Sequence, residues 1–294
     1  MKRYSLAAAV LVCGVLPGCR SGNPPTAAQP SLPPVSCGGE IAGAEQLTAP
    51  LVLVGEIHGT SEIPATFGRL ICQAAAGRRG ETVLAGLEVL SSAQSAIDVF
   101  LASDGSASAA QALLAQEFWQ REYQDGRSSK AMFSLLDEIR RLRMAGLKVE
   151  VRALDPVRFD SPSGRDAAMA AALVDAIETL RPAQTLVLVG NVHSRTLNGY
   201  PWDANAAYVP LGALLRARYG DLIALDIKNS GGSAWICMSA DAKECGARDQ
   251  RASETPGTVP RIAMDPDATP RTGHDGMLFI GPVTASPPAR LERP

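Results

Sequence analysis

The chain has 294 residues, with 28 lysines and arginines against 30 aspartates and glutamates, for a formal charge of −2. A near-balanced, dispersed charge without a basic cluster argues against a nucleic-acid partner. Hydrophobic residues make up 46% of the chain, enough to build a core, and no second recognisable domain interrupts it.

The first residues, "MKRYSLAAAVLVCGVLPGC", combine a basic start, a short apolar stretch and a Leu-Pro-Gly-Cys ending. This is the pattern of a secretory signal, too short for a membrane span. Its "LPGC" resembles a bacterial lipobox, which implies cleavage after residue 18 and a lipid on Cys19. With Arg20 next rather than aspartate, it implies retention at the outer membrane, facing the periplasm. Residues 19–47 then read as the lipidated cysteine and a flexible tether. Their Pro-, Ser- and Ala-rich composition buries too little apolar surface to offset ordering entropy.

Residues 48–285 are expected to form one domain, with 286–294 as a tail. "PLVLVG" (50–55) is a buried strand by its continuous apolar run. Helical spacing follows over 62–77 and a second strand over 82–89, then helical patterns near 91–102 and 106–118. Residues 128–146 form the clearest helix: Ser128 is placed to cap it, Met132, Leu135, Leu136, Ile139 and Leu142 make its apolar face, and Gly146 stops it. A strand over 148–155, an Ala-rich helix over 164–181, a strand over 184–190 and a short helix over 210–219 come next. "LIALDIKNSGGSAWICM" (222–238) reads as a hairpin turning at Asn-Ser-Gly-Gly. The stretch from about 247 to 273 is Pro- and Asp-rich, and "GMLFIGP" is a last short strand. Strands alternating with helices predict an α/β fold: a mostly parallel sheet flanked by helices on both faces, with an antiparallel hairpin near the C-terminal end.

Beyond the signal region and Cys19, four cysteines remain, and four allow three pairings. Closeness favours Cys237–Cys245, at the ends of "CMSADAKEC", which leaves Cys37–Cys72. A zinc site lacks its usual CxxC spacing.

In open parallel sheets, ligands bind where loops leave the carboxyl ends of strands. Glu56 and His58 follow the first predicted strand and Glu88 ends the second. Asp155 ends the third, and Asn191 and His193 follow the fourth. Convergence of such groups marks a site, since a buried charge needs a partner. Asp155, followed by Pro156, also fits a turn or helix cap. The phrase Gly-x-x-His occurs twice, as Gly55–His58 and Gly190–His193. Arg127 sits in a Gly-containing loop before the best helix, where a guanidinium suits a substrate carboxylate or oxyanion. Glu62 and His274 are secondary candidates with Asp155 and Asn191; His274 precedes the last strand, the wrong edge unless that strand runs antiparallel.

"GEIHG" and "HGTSE" (58–62), with the doubled Gly-x-x-His, resemble the superfamily that joins ChaN-like haem-uptake proteins, TraB/Tiki proteins and erythromycin-esterase-like enzymes. "GEIHG" is similar to the ChaN-type opening, "HGTSE" to the esterase-like branch, and the paired motif to the Tiki branch. The resemblance implies a hydrolase of an ester, amide or peptide bond. In an esterase-like version His58 is the general base, held by Glu56 or Glu88. In a metal-dependent version His58, His193 and Glu56 or Glu88 hold manganese, cobalt or zinc. A ChaN resemblance implies instead a haem- or iron-binding lipoprotein without catalysis, with His58 or His193 as axial ligand. Neither HExxH nor a Gly-x-Ser-x-Gly elbow is present. The expected partners are the membrane, through Cys19, and a small-molecule or peptide substrate.

Overall fold

The computed structural model describes residues 35–239, 241–253 and 260–290. The expected signal peptide and the expected lipidation site, Cys19, lie outside the described residues. In chain order the elements are β1 (Leu51–Glu56), α1 (Glu62–Gly77), β2 (Val83–Leu90), α2 (Gln94–Leu101), α3 (Ala107–Leu114), α4 (Glu117–Gln120), α5 (Lys130–Met144) and β3 (Val149–Asp155). Then come α6 (Pro162–Leu180), β4 (Gln184–Gly190), α7 (Asn191–Ser194), α8 (Leu211–Tyr219), β5 (Ile223–Lys228), β6 (Gly232–Cys237), β7 (Cys245–Gln250), β8 (Arg261–Met264), α9 (Thr269–Thr272) and β9 (Gly276–Phe279). None of the described helices is long and apolar enough to cross a membrane.

The main sheet runs β3-β2-β4-β1-β5-β9-β8. Its pairings are parallel except β8–β9. Apolar residues on both faces of β1 explain the continuous run read in the sequence. Val52 and Val54 join a core with Phe67 of α1, Ile97 of α2 and Leu136 of α5. Leu51 and Leu53 point the other way, to Met169 and Leu173 of α6 and Leu215 of α8. Each fully buried side chain of this kind contributes about 1.5–3 kcal/mol. The edge of β3 is closed by a side chain: Gln94 Nε2 donates to Val151 O at 3.0 Å, and Ala153 N donates to Gln94 Oε1 at 2.7 Å. Two of the edge strand's open backbone groups are thereby satisfied without a further strand.

Both expected disulfides form, Cys37–Cys72 and Cys237–Cys245. The hairpin is placed differently from the sequence reading. β5 lies in the main sheet beside β1 and β9, and β6 pairs with β7 in a separate two-stranded sheet. Buried β5 pairs in parallel on both sides, so the Asn-Ser-Gly-Gly segment is a crossing between sheets rather than a hairpin turn. Cys237 and Cys245 are directly opposed in the β6–β7 register. The Pro- and Asp-rich stretch also holds β8, which pairs with β9.

Two further readings are corrected. The cap of α5 is Ser129, whose Oγ accepts from Met132 N, while Ser128 Oγ donates to Gln124 Oε1 at 2.5 Å. The packed body also extends past 48–285. Ile41 is buried and Ile262 N donates to Ala42 O, while at the other end Ala289 is buried and its N donates to Ser128 O.

β6 grips two loops at the carboxyl edge of the sheet. Trp235 N donates to Gly59 O at 2.8 Å and Trp235 Nε1 to Gln124 O at 2.9 Å. Gly59 and Gly126 both have positive φ, and a Cβ on Gly126 would sit 2.6 Å from Gly59 N and 2.8 Å from Trp235 O. Only glycine allows three backbones to meet this closely.

Candidate active site

The carboxyl ends of β1, β2, β3 and β4 converge as the sequence predicts, and two loops and α6 complete the site. In the β1–β4 register Glu56 faces Gly190, so the two Gly-x-x-His phrases lie side by side. Their glycines serve different ends. A Cβ on Gly55 would lie 2.2 Å from Ser194 Oγ and 2.9 Å from Asn191 Cα, so this glycine admits α7 against β1. A Cβ on Gly190 would lie 3.2 Å from His58 Nε2, 3.4 Å from His193 Cδ2 and 3.5 Å from Glu88 Oε2. Gly190 therefore forms the floor on which both histidines and Glu88 meet.

That floor yields a prediction. Gly190 has φ −55° and ψ 144°, a conformation open to any residue. Gly190→Ala should fold normally yet displace His58 by tenths of an ångström. Thermal melting and the histidine side-chain NMR shifts of the same preparation check both halves.

His58 Nδ1 lies 2.9 Å from Glu56 Oε1. A carboxylate only accepts, so Nδ1 carries the proton and Nε2 presents its lone pair. Nε2 lies 3.5 Å from Glu88 Oε2. Burial opposes the imidazolium, but the carboxylates of Glu88 and Glu56 outweigh it and hold the pKa above 6.5.

Beside His58 is a closed ring of charges. Glu88 Oε1 accepts from Arg127 Nη1 at 3.2 Å and from Arg165 Nη2 at 2.7 Å. Asp155 accepts from Arg127 Nη1 at 2.5 Å and from Arg165 Nε at 2.7 Å. Two arginines and two carboxylates thus alternate around it. Asp125 takes the remaining side of Arg127, with Nη2 at 2.7 Å and Nε at 3.0 Å. Glu88 also accepts the Gly190 N–H at 2.8 Å. Burial would raise the Glu88 pKa, yet His58, His193 and both arginines pull it well below the usual carboxylate range. Glu88 is a fixed anion, not an acid. Arg127, read as a substrate clamp, directs four of its five side-chain N–H groups to the protein's own carboxylates.

His193 has a buried carboxylate of its own. Its Nδ1 lies 2.8 Å from Asp166 Oδ1, and Tyr208 Oη donates to Asp166 Oδ2 at 3.1 Å. Leu211 N donates to Asp166 Oδ1 at 2.7 Å. The other nitrogen, Nε2, is 2.9 Å from Arg165 Nη1.

Of the secondary candidates, Asp155 belongs to the charge ring. Glu62 does not join it: its Oε2 accepts from Thr284 N at 2.7 Å and ties the C-terminal segment to α1. His274 is buried beside Ser194, with Nε2 2.9 Å from Ser194 Oγ. Burial lowers its pKa. The strand it precedes, β9, is parallel to β5. Asn191 acts through its backbone, as the acceptor for Ser194 Oγ at 3.1 Å.

The sequence reading missed Arg165, Asp166, Tyr208 and Asp125. Arg165 and Asp166 lie in the first turns of α6, which Ser161 caps through Gly164 N. A helix starting just after a strand's carboxyl end sets its first turns at the site, and that position was the available signal. Tyr208 sits in a loop without helical or strand periodicity; its ring stacks on Tyr200 at 4.3 Å and 6°.

The metal-dependent version does not fit these donors. Glu88, Asp155 and His193 already accept from arginines, and among the described residues no group of three or more His, Cys, Asp or Glu is arranged to hold an ion. Haem fits no better: His193 has both nitrogens engaged, and His58 is flanked by the carboxylates of Glu56 and Glu88 rather than by an apolar face.

No family model matches the chain, and no curated protein matches its sequence. Solved structures do. An erythromycin esterase variant in its open conformation superposes with a TM-score of 0.60 at 12% identity, over 83% of this chain and 93% of that one. A succinoglycan biosynthesis protein gives 0.57 at 10% identity, over 81% and 89%. ChaN of Campylobacter jejuni with cofacially bound haem gives 0.41 at 12% identity, over 69% and 88%, a likeness too loose to argue from. At such identities the first two establish architecture and nothing finer. The chain therefore shares its α/β fold with the erythromycin esterase and the succinoglycan biosynthesis protein.

Proposed function

We propose that the protein is an exported, lipid-anchored hydrolase of ester or amide bonds, facing the periplasm from the outer membrane, with His58 as general base. The Glu56–His58 pair carries this reading, because its Nδ1–H is fixed and its Nε2 lone pair is presented above Gly190. The two disulfides support export, since such bonds persist in oxidising compartments.

In this reaction His58 Nε2 takes a proton from water as the water oxygen bonds to the acyl carbon. The tetrahedral adduct then collapses, the bond to the leaving group breaks, and the imidazolium returns its proton to that group. Among the described residues no hydroxyl or thiol is hydrogen-bonded to His58, which favours water over a side-chain nucleophile. Glu56 orients the imidazole and stabilises its charged form.

A panel of chromogenic esters and amides, assayed after chelation of metals, tests the proposal. Turnover should persist with chelator and rise with pH through a midpoint above 6.5, because His58 must be neutral to act. Glu56→Gln removes one of the carboxylates that raise His58 and should move that midpoint down. A limb that Glu56→Gln leaves in place would remove His58 as the base.

A further inference from the structure

The second histidine of the paired motif has an unexpected environment. Arginine only donates, so the 2.9 Å contact between Arg165 Nη1 and His193 Nε2 makes Nε2 an acceptor. The proton of His193 then sits on Nδ1, facing Asp166. That carboxylate is wholly buried and is held in turn by Tyr208 Oη and Leu211 N. With Nε2 turned to a guanidinium, His193 has no lone pair left for water or a metal and no proton to give a leaving group.

Arg165 is differently placed. Its Nε binds Asp155, one Nη2 hydrogen goes to Glu88 and one Nη1 hydrogen to His193. A guanidinium has five N–H groups, so among the described residues one on each Nη has no partner. The side chain remains 15% exposed, whereas Glu88 beneath it is 3% exposed. Arg165 Nη2 and His58 Nε2 both reach the Glu88 carboxylate, at 2.7 Å from Oε1 and 3.5 Å from Oε2, so the guanidinium and the imidazole flank the same carboxylate beside the Gly190 floor.

We infer that Arg165, rather than His193, is the second catalytic residue: its remaining N–H groups receive the oxyanion that forms when water adds to the acyl carbon, and His193, Asp166 and Tyr208 are positioning residues that aim it. The inference rests on the hydrolytic reading above. Negative charge passes from the carbonyl carbon's π bond to its oxygen as His58 takes the water proton, and it returns as the leaving group departs. Donors fixed beforehand are worth most at that moment.

His193 variants separate this assignment from the alternative. His193→Ala should lower turnover about 10²-fold, while His193→Gln, whose amide oxygen reaches the place of Nε2 and still accepts from Arg165, should restore most of it. Arg165→Lys keeps the charge but loses the fork, and should reduce kcat by about 10²–10³-fold with a smaller change in KM. With only three histidines in the chain, long-range nitrogen–proton NMR on ¹⁵N-histidine protein reads the tautomer without any substrate. It should show His193 as Nδ1–H, altered by Asp166→Asn. A His193→Gln variant as inactive as His193→Ala, or a His193 protonated on Nε2, would overturn the assignment. An active His58→Asn variant would instead overturn the hydrolytic reading, and the NMR result would stand apart from it.

Discussion

His58→Asn is expected to lower kcat/KM by about 10²–10⁴-fold, the usual contribution of a positioned general base. Asparagine can keep a hydrogen bond to Glu56, so the fold should survive, but it has no lone pair able to take a proton at neutral pH. The loss should be largest where wild type is most active, above the midpoint at which His58 becomes neutral. Below that midpoint the two proteins should converge, since wild type is itself protonated there. Steady-state kinetics across pH on one responsive substrate checks this. A constant ratio at every pH would mean that His58 binds substrate and does not move protons.

The second large effect concerns stability. Glu88→Ala removes the carboxylate shared by Arg127, Arg165 and the Gly190 N–H. Two guanidiniums then face each other, with Asp155 as the only carboxylate common to both among the described residues. Breaking a buried charge network by deleting one partner costs about 3–5 kcal/mol. In a domain of this size that is a fall in Tm of roughly 10 °C. Glu88→Gln keeps the shape and one acceptor oxygen, so its loss should be smaller. Differential scanning calorimetry of the two variants measures both, and a Tm within about 2 °C of wild type for Glu88→Ala would show that the ring is solvated rather than buried.

Much of this architecture is written locally in the chain. The runs in β1 and β4 are apolar on consecutive residues because both strands are covered on both faces, which is why their parallel neighbours could be expected. Glu56, His58, Glu88, Asp155 and His193 are legible for a related reason: they end such runs. The partners that decide what these groups do are less legible. Arg165 and Asp166 belong to a helix read only as Ala-rich, and Tyr208 reaches His193 through tertiary packing. β5 and β6 are contiguous and turn-like in sequence, yet they part because β5 has parallel partners on both sides. No local pattern contains that fact.

The Cys237–Cys245 link closes a short loop, for which chain entropy gives about 2–3 kcal/mol. A two-stranded ribbon alone is marginal in water, so β6–β7 depends on that link more than the main sheet does. Since β6 holds Gly59, next to His58, and Gln124, next to Asp125, its loss would be felt first where catalysis is proposed. Reductant should therefore silence the protein at temperatures where its far-UV circular dichroism is still intact: competence would melt before the fold, and a newly made chain would acquire it only once its thiols had been oxidised.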